Sequence, residues 1–200
     1  MVVSELALVL ARLFGRGGNR VGALLYDTAF GNRAVRTVSP GTGRRHALRI
    51  GAELARTSGG RRGHTTDLAA MLDAAAKLAR RRALIVVISD FIGNGDWERS
   101  LLRLAPRHEV VALRVIDDAD DELPSAGLVV VEDAETGEQL VIDSSDPLLR
   151  ARLAACVEER DTSLAAGMRR AGVPIHRIGT DADLATALID VVASTRRRRA

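Results

Sequence analysis

The stretch Ala83-Leu-Ile-Val-Val-Ile-Ser-Asp90, ALIVVISD, decides the fold. Its first six residues are apolar without a break, and most are β-branched. A run of this length suits a strand covered on both faces, as in the middle of a parallel sheet. It is far short of the ~18 to 20 residues needed to cross a bilayer. Upstream, residues 66–80 carry Leu68, Leu72, Ala75 and Leu78-Ala79 at three- to four-residue spacing, which predicts a helix opened by Thr66. Downstream, Asp96 can cap a helix through Leu104 that Pro106 closes, and residues 109–116 (EVVALRVI) read as a second strand.

The alternation continues in both directions. Residues 3–14 read as an amphipathic helix interrupted by Glu5 and Arg12. Residues 20–26 (RVGALLY) form a short buried strand, 27–31 a turn, and 33–38 an edge strand of alternating polarity. Pro40-Gly-Thr-Gly43 breaks the chain before a helix over 46–56. After residue 116, Asp117, Asp118, Asp120, Asp121 and Glu122 form an acidic loop ending at Pro124. Residues 127–131 and 138–142 flank Asp133-Ala-Glu-Thr-Gly137, the pattern of a β-hairpin. Asp146-Pro147 is an N-cap with proline at the first helical position. The helix behind it carries Leu149, Leu153, Cys156-Val157, Leu164 and Met168, and stops at Gly172. Residues 174–178 are a last strand, and Thr180 opens a final helix with Leu184, Leu188 and Val191-Val192 inward.

This order predicts one α/β domain over residues 1–195: three layers, a mostly parallel sheet with helices on both faces, and a β-hairpin insertion. Strands 21–26, 84–89, 110–116 and 175–178 are expected parallel in one sheet, with 33–38 antiparallel at an edge. Residues 196–200 are an Arg-rich tail. The chain's 200 residues suit one domain, and a chain of this size buries about 70% of its unfolded surface. Apolar residues at 46% and charged residues at 28% exclude disorder as a whole. Aromatics are 2%, so the core is aliphatic and base-stacking platforms are scarce. The one cysteine, Cys156, has no internal disulfide partner.

The formal charge of +3 comes from 29 basic and 26 acidic residues, and four of the basic ones are Arg196 to Arg199. The basicity therefore belongs largely to a tail, expected to be a solvated end, and no specific nucleic-acid partner is implied. The N-terminus has neither the basic n-region nor the small-residue cleavage site of a signal peptide. A cytoplasmic protein without a membrane span in this chain is expected.

In an open parallel sheet, function gathers at the carboxyl ends of the strands. That rule selects Asp90, Asp117-Asp118, the Thr65-Thr66-Asp67 segment and Asp27. Asp90 ends the most apolar strand, where a carboxylate can bind metal or simply accept from turn N–H groups. Thr66 by itself is an ordinary helix cap. A hydroxyl and a carboxylate arriving together suit a hard cation such as Mg²⁺. No Gly-x-Gly-x-x-Gly follows a strand, and Lys77 lies mid-helix, outside any phosphate-binding loop. His46, His64, His108 and His176 lack metal-ligand spacing and read as surface or loop residues; Ser89-Asp90 has no histidine partner. Cys156 reads as a buried small apolar residue. Arg80, Arg81 and Arg82 read as a solvated helix end.

Several of these segments together resemble a known family. Thr65-Thr66-Asp67-Leu68, ALIVVISDF, EVVALRVIDDADDELP and GLVVVEDAETGE look like the von Willebrand factor A-like bacterial family catalogued as "domain of unknown function 58"; RVGALLYD resembles its second strand. The resemblance spans about residues 5 to 193 and is most specific over 109–138. It implies a metal-ion-dependent adhesion site built from an Asp-x-Ser-x-Ser, a Thr and an Asp. Thr66 and Asp90 match the last two, whereas the first occurs nowhere in the chain. The chain would then begin inside the helix that follows the first strand, a von Willebrand A-like domain truncated at its N-terminus. Mg²⁺ asks for about six oxygens, so weak or no binding is expected unless the first strand is supplied. The resemblance further implies a non-enzymatic protein-interaction domain, an adaptor acting with a MoxR-type AAA+ ATPase in assembly or maturation of client complexes. Asp117, Asp118, Asp120, Asp121 and Glu122 are then the partner surface, and Asp118, Asp120 and Asp121 are expected to be solvated. The alternatives are a Mg²⁺-dependent hydrolase on the same sheet, which needs titrating groups clustered in a deep pocket, and a nucleic-acid binder, which needs a basic stripe on the folded body.

In the family the first strand would lie between the RVGALLY and ALIVVIS strands. Without it, each buried unpaired backbone group costs ~1 to 3 kcal/mol, against a domain stability of ~5 to 15 kcal/mol. Direct pairing of strands 21–26 and 84–89 is the expected solution; a strand borrowed from a partner and low stability are the other two.

Overall fold

The computed structural model describes residues 2–26, 35–57, 67–92, 96–117, 126–132, 139–183, 188 and 191. Helix α1 (Val2–Arg16) precedes β1 (Val21–Tyr26), β2 (Val35–Gly41), α2 (Gly43–Thr57) and α3 (Leu68–Leu78). Then come β3 (Leu84–Ser89), α4 (Trp97–Leu104), β4 (Glu109–Ile116), β5 (Leu128–Glu132) and β6 (Gln139–Asp143). Helix α5 (Pro147–Ala171) and β7 (Ile175–Gly179) follow.

Strands β3, β4 and β7 form a parallel sheet in that order, and β4 is bonded on both edges. Its side chains alternate between two cores. Val110 and Ala112 join Leu72 of α3, Leu101 and Leu104 of α4 and Met168 of α5. Val111 and Leu113 join Leu6 and Leu10 of α1, Ile178, and the helical residues Leu188 and Val191. Continuous apolar sequence in β3 and β4 thus follows from cover on both faces. The chain is a mixed α/β protein.

One expected strand is elsewhere. β1 does not join the parallel sheet; it pairs antiparallel with β2 in a two-stranded sheet of its own. β2 is antiparallel as expected, but it lies in this separate sheet rather than at the edge of the parallel one, and it runs through Pro40 to Gly41, where a break is expected. An edge strand tolerates proline, and the register shifts between Val21 and Ala23 to accommodate it. Leu25, Val38, Ala47, Ile50 and Leu54 bury this small sheet against α2, together with Ala11 of α1. His46 Nε2 meets the Val21 carbonyl oxygen at 2.7 Å, so this histidine is a half-buried structural tie rather than a surface residue.

Helix ends follow their caps. Asp67, not Thr66, caps α3: its Oδ1 accepts from the Ala70 N–H at 2.9 Å. Helix α3 stops at Leu78, before Arg80–Arg82, which are exposed. Asp96 sits at the α4 N-cap without a side-chain cap bond. Asp146 accepts from the Leu148 N–H at 2.8 Å and Gly172 closes α5 in the left-handed conformation (φ 67°). Gly167 lets α5 approach α4 closely, since a Cβ there would meet the Trp97 ring at 2.9 Å. Arg170 clamps Glu98 on the same contact at 2.6 and 2.8 Å and holds that carboxyl below its usual range.

The expected direct pairing of β1 with β3 is not present. The Glu109 N–H donates to the Ala83 carbonyl at 2.9 Å, which fixes the parity of the parallel ladder. Ile85, Val87 and Ser89 therefore turn their backbone groups to β4, and Leu84, Val86 and Ile88 turn theirs to the other edge, which pairs with no strand among the described residues. Those three residues are half-buried rather than sealed, so water can reach the edge and the full cost of buried orphan groups does not arise. Amide hydrogen exchange should read this asymmetry: the N–H groups of Leu84, Val86 and Ile88 should exchange at least about tenfold faster than those of Ile85 and Val87. Equal protection along the strand would show that a further strand pairs with β3.

Candidate functional site

The register aligns Ser89, Arg114 and Arg177 across the carboxyl ends of β3, β4 and β7. Asp90, just beyond β3, is exposed, and its Oδ1 accepts from the Ile92 N–H at 3.0 Å and the Ser89 hydroxyl at 3.3 Å. Ser89 Oγ in turn accepts from the Phe91 N–H at 3.0 Å. Phe91 holds φ 57°, a left-handed conformation costly for a bulky residue. Its buried ring meets Trp97 edge-on, with centroids 6.1 Å apart, and that packing pins the turn. The Asp90 carboxylate is thus engaged in shaping its own turn.

Beside it lies a group that sequence reading passed over. Arg114, 3% exposed, bonds Asp161 of α5 at 2.7 Å, and Arg177 meets the same carboxylate at 3.2 Å. Arg160 Nε lies 3.8 Å from it. Arginines therefore outnumber the acid they surround. The signal was available, because Arg114 is the one charged residue inside an otherwise apolar strand interior, VVALRVI.

Thr66 lies outside the described residues, as do Asp118, Asp120, Asp121 and Glu122. Asp117 is described; it is exposed and already has an interaction partner. Among the described residues no three His, Cys, Asp or Glu side chains gather as a metal site. Asp90 supplies one carboxylate, and part of its capacity is spent on the turn. The described residues do not by themselves fit resident Mg²⁺.

The hairpin forms as expected: β5 pairs with β6 antiparallel, Leu128 opposite Asp143 and Val130 opposite Val141. At its base, the fully buried Ser144 donates its hydroxyl to the Gly127 carbonyl at 2.8 Å and accepts from the Ala126 N–H at 3.1 Å. Asp143 accepts from the Ser145 hydroxyl and N–H, which lower its pKa. Beyond this staple the two strands carry exposed apolar side chains on both faces, with Leu128 77% and Leu140 64% exposed.

At the opposite end of the sheet, a cleft of about 530 Å³ is lined by Arg82, Pro106, His108, Glu109, Val173 and Pro174, among others. His108 is buried there, contrary to its reading as a surface residue, and neither ring nitrogen has a hydrogen-bond partner. Cys156 is corrected the other way: it is exposed. Helix α5 has 25 residues, about 37 Å of rise, against five residues in β7, so its first half overruns the sheet and only Leu164, Gly167 and Met168 are buried.

A parallel β3-β4-β7 sheet, helices against both its faces and a projecting hairpin define a mixed α/β domain. Residues 1–163 match the family described as "Protein of unknown function DUF58", and the chain belongs to it. It is 39% identical over 194 residues to "Uncharacterized protein Rv1480" of Mycobacterium tuberculosis, covering 96% of this chain and 59% of that protein. The chain thus spans less than two thirds of that relative's length. It is 41% identical over 133 residues to "Uncharacterized protein MAV169" of Mycobacterium avium, covering 66% of this chain and 77% of the relative. A structural similarity at TM-score 0.48 and 13% identity links it to the conserved hypothetical protein BatB from Bacteroides thetaiotaomicron, covering 98% of this chain and 87% of that one. Among the described residues no helix is long and apolar enough to cross a membrane.

Two variants test the buried pair. Asp161→Ala leaves Arg114 buried beside other arginines and should cost about 3 kcal/mol, whereas Arg114→Met should cost far less, because it removes the charge that needs compensation. Urea denaturation reads both, and equal losses would show that the pair is not effectively buried. His108 makes a pH prediction. Burial, then the Arg107 charge, lower its pKa, so the folded state favours the neutral ring. The unfolded chain takes up its proton near the ordinary value of ~6.5. Stability should be full above that pH and fall as pH drops below it, until the folded ring also protonates. His108→Gln should flatten this dependence in thermal melts between about pH 5 and about pH 8; an unchanged slope would assign it to other groups.

Proposed function

We propose that this chain is a von Willebrand A-like, non-enzymatic protein-interaction domain that acts as an adaptor beside a MoxR-type AAA+ ATPase in the assembly or maturation of client complexes. The observation that carries the reading is the β5–β6 hairpin. Two strands held by a buried serine staple present large apolar side chains to solvent, and an exposed apolar surface of this kind marks a binding site. The acidic segment that precedes it in sequence begins at the exposed Asp117. The three-layer architecture is supported by the parallel β3-β4-β7 sheet and the helices that pack on its two faces. The ATPase partner comes from the resemblance of residues 109–138 to the family. The reading places the chain in the cytoplasm, where such an ATPase meets ATP.

Isothermal titration of the purified chain with a MoxR-type ATPase from the same organism tests it, in the presence of ATP or ADP. Saturable binding is expected, and replacing Asp118, Asp120 and Asp121 by Asn should weaken it by about tenfold. Absence of heat with either nucleotide would remove the ATPase from the reading.

A further inference from the structure

We infer that the β5–β6 hairpin inserts into an apolar groove rimmed by arginine and lysine on a partner protein. The inference rests on the interaction reading above and adds the chemistry of the surface that is bound. Its first support is that both faces of the hairpin are apolar. In the antiparallel register Val130 lies opposite Val141, on the face that also carries Leu128; Val131 lies opposite Leu140 on the other. Val130 and Val141 are 62% and 65% exposed, and Leu140 is 64% exposed. A flat surface would cover one face and leave the other in water. A groove covers both.

The second support is charge. From Asp117 to Asp146 the chain has eleven acidic residues and no basic one, which leaves 29 basic against 15 acidic in the remainder. A segment this acidic in sequence, with apolar strands within it, selects a cationic rim, because opposite charges across a contact steer encounter and like charges there repel. The same charge disfavours hairpin-to-hairpin pairing of two copies. It disfavours anionic lipid and nucleic acid as well. Ser144 holds the hairpin base on Gly127 and Ala126, so little ordering remains to be done on docking.

The test uses the ¹⁵N-labelled chain and three probes: an amphipathic Leu/Lys helical peptide, its Leu/Glu counterpart, and phosphatidylcholine/phosphatidylglycerol vesicles. The Leu/Lys peptide should shift amide signals of both β5 and β6, and its affinity should fall about tenfold from low salt to about 0.5 M NaCl. Val130→Thr with Leu140→Thr keeps β propensity on both faces and should weaken binding at least about tenfold, with the signals of β3, β4 and β7 unmoved. Equal binding of the Leu/Glu peptide would overturn the cationic rim and leave the interaction reading standing. Vesicle binding lost in the double variant would overturn the groove in favour of a membrane. Concentration-dependent sedimentation lost in that variant would do so in favour of a second copy. Silence of the hairpin toward every probe would overturn both the inference and the reading beneath it.

Discussion

Helix α1 joins two sheets that share no hydrogen bond among the described residues. Its Leu6 and Leu10 pack on Val111 and Leu113 of β4 and on Ile178 of β7. One residue further round, Ala7 and Ala11 pack on β1, β2 and α2. The helix can do this because residues four apart share a face and adjacent stripes diverge by about 100°. Complete burial of a leucine such as Leu6 contributes about 1.5 to 3 kcal/mol, so this double contact is strong enough to hold the small sheet without a ladder. The small residues on the second stripe set how near α2 comes.

Among the described residues, that arrangement leaves β3 bonded on one edge and packed on both faces. Its apolar sequence answers the faces, not the edge. The carboxyl end of the same sheet is where the polar residues gather. There Asp90 is committed to its turn, Phe91 is held left-handed by its ring contact, and Arg114 is charged inside the fold because Asp161 on α5 comes to meet it. These are local constraints on shape, and they make this end of the sheet a rigid, electrically defined platform.

The hairpin is built on the opposite logic. Among the described residues the buried core of the body is largely aliphatic, with Arg114 its one buried arginine. The hairpin displays aliphatic residues on both faces and lies in an acidic stretch of the sequence. Two-stranded hairpins are marginal alone in water. This one is anchored by Ser144, whose hydroxyl bonds are satisfied at a fully buried position. A buried anchor and apolar side chains exposed on both faces set this element apart from the core-forming strands.

Much of the secondary structure was legible in the residues. Continuous apolar runs marked β3 and β4, helical spacing marked α1, α3 and α5, and Asp146-Pro147 with Gly172 marked the ends of α5. These signals are local, so the chain carries them without knowing its neighbours. The hairpin was legible for the same reason, since turn chemistry and strand alternation lie within one short segment. The pairing of β1 was not legible, because an apolar strand records that its faces are covered and not which strand lies beside it. Nor were the carboxylate that meets Arg114, the burial of His108 or the exposure of Cys156: each depends on how elements distant in sequence pack together. The sequence by itself determined which segments form helices and strands, the ends of α5, and which segment is acidic. Only the tertiary structure decided which edges stay open, which charges meet and which apolar side chains remain in water, because those depend on contacts between residues far apart in the chain.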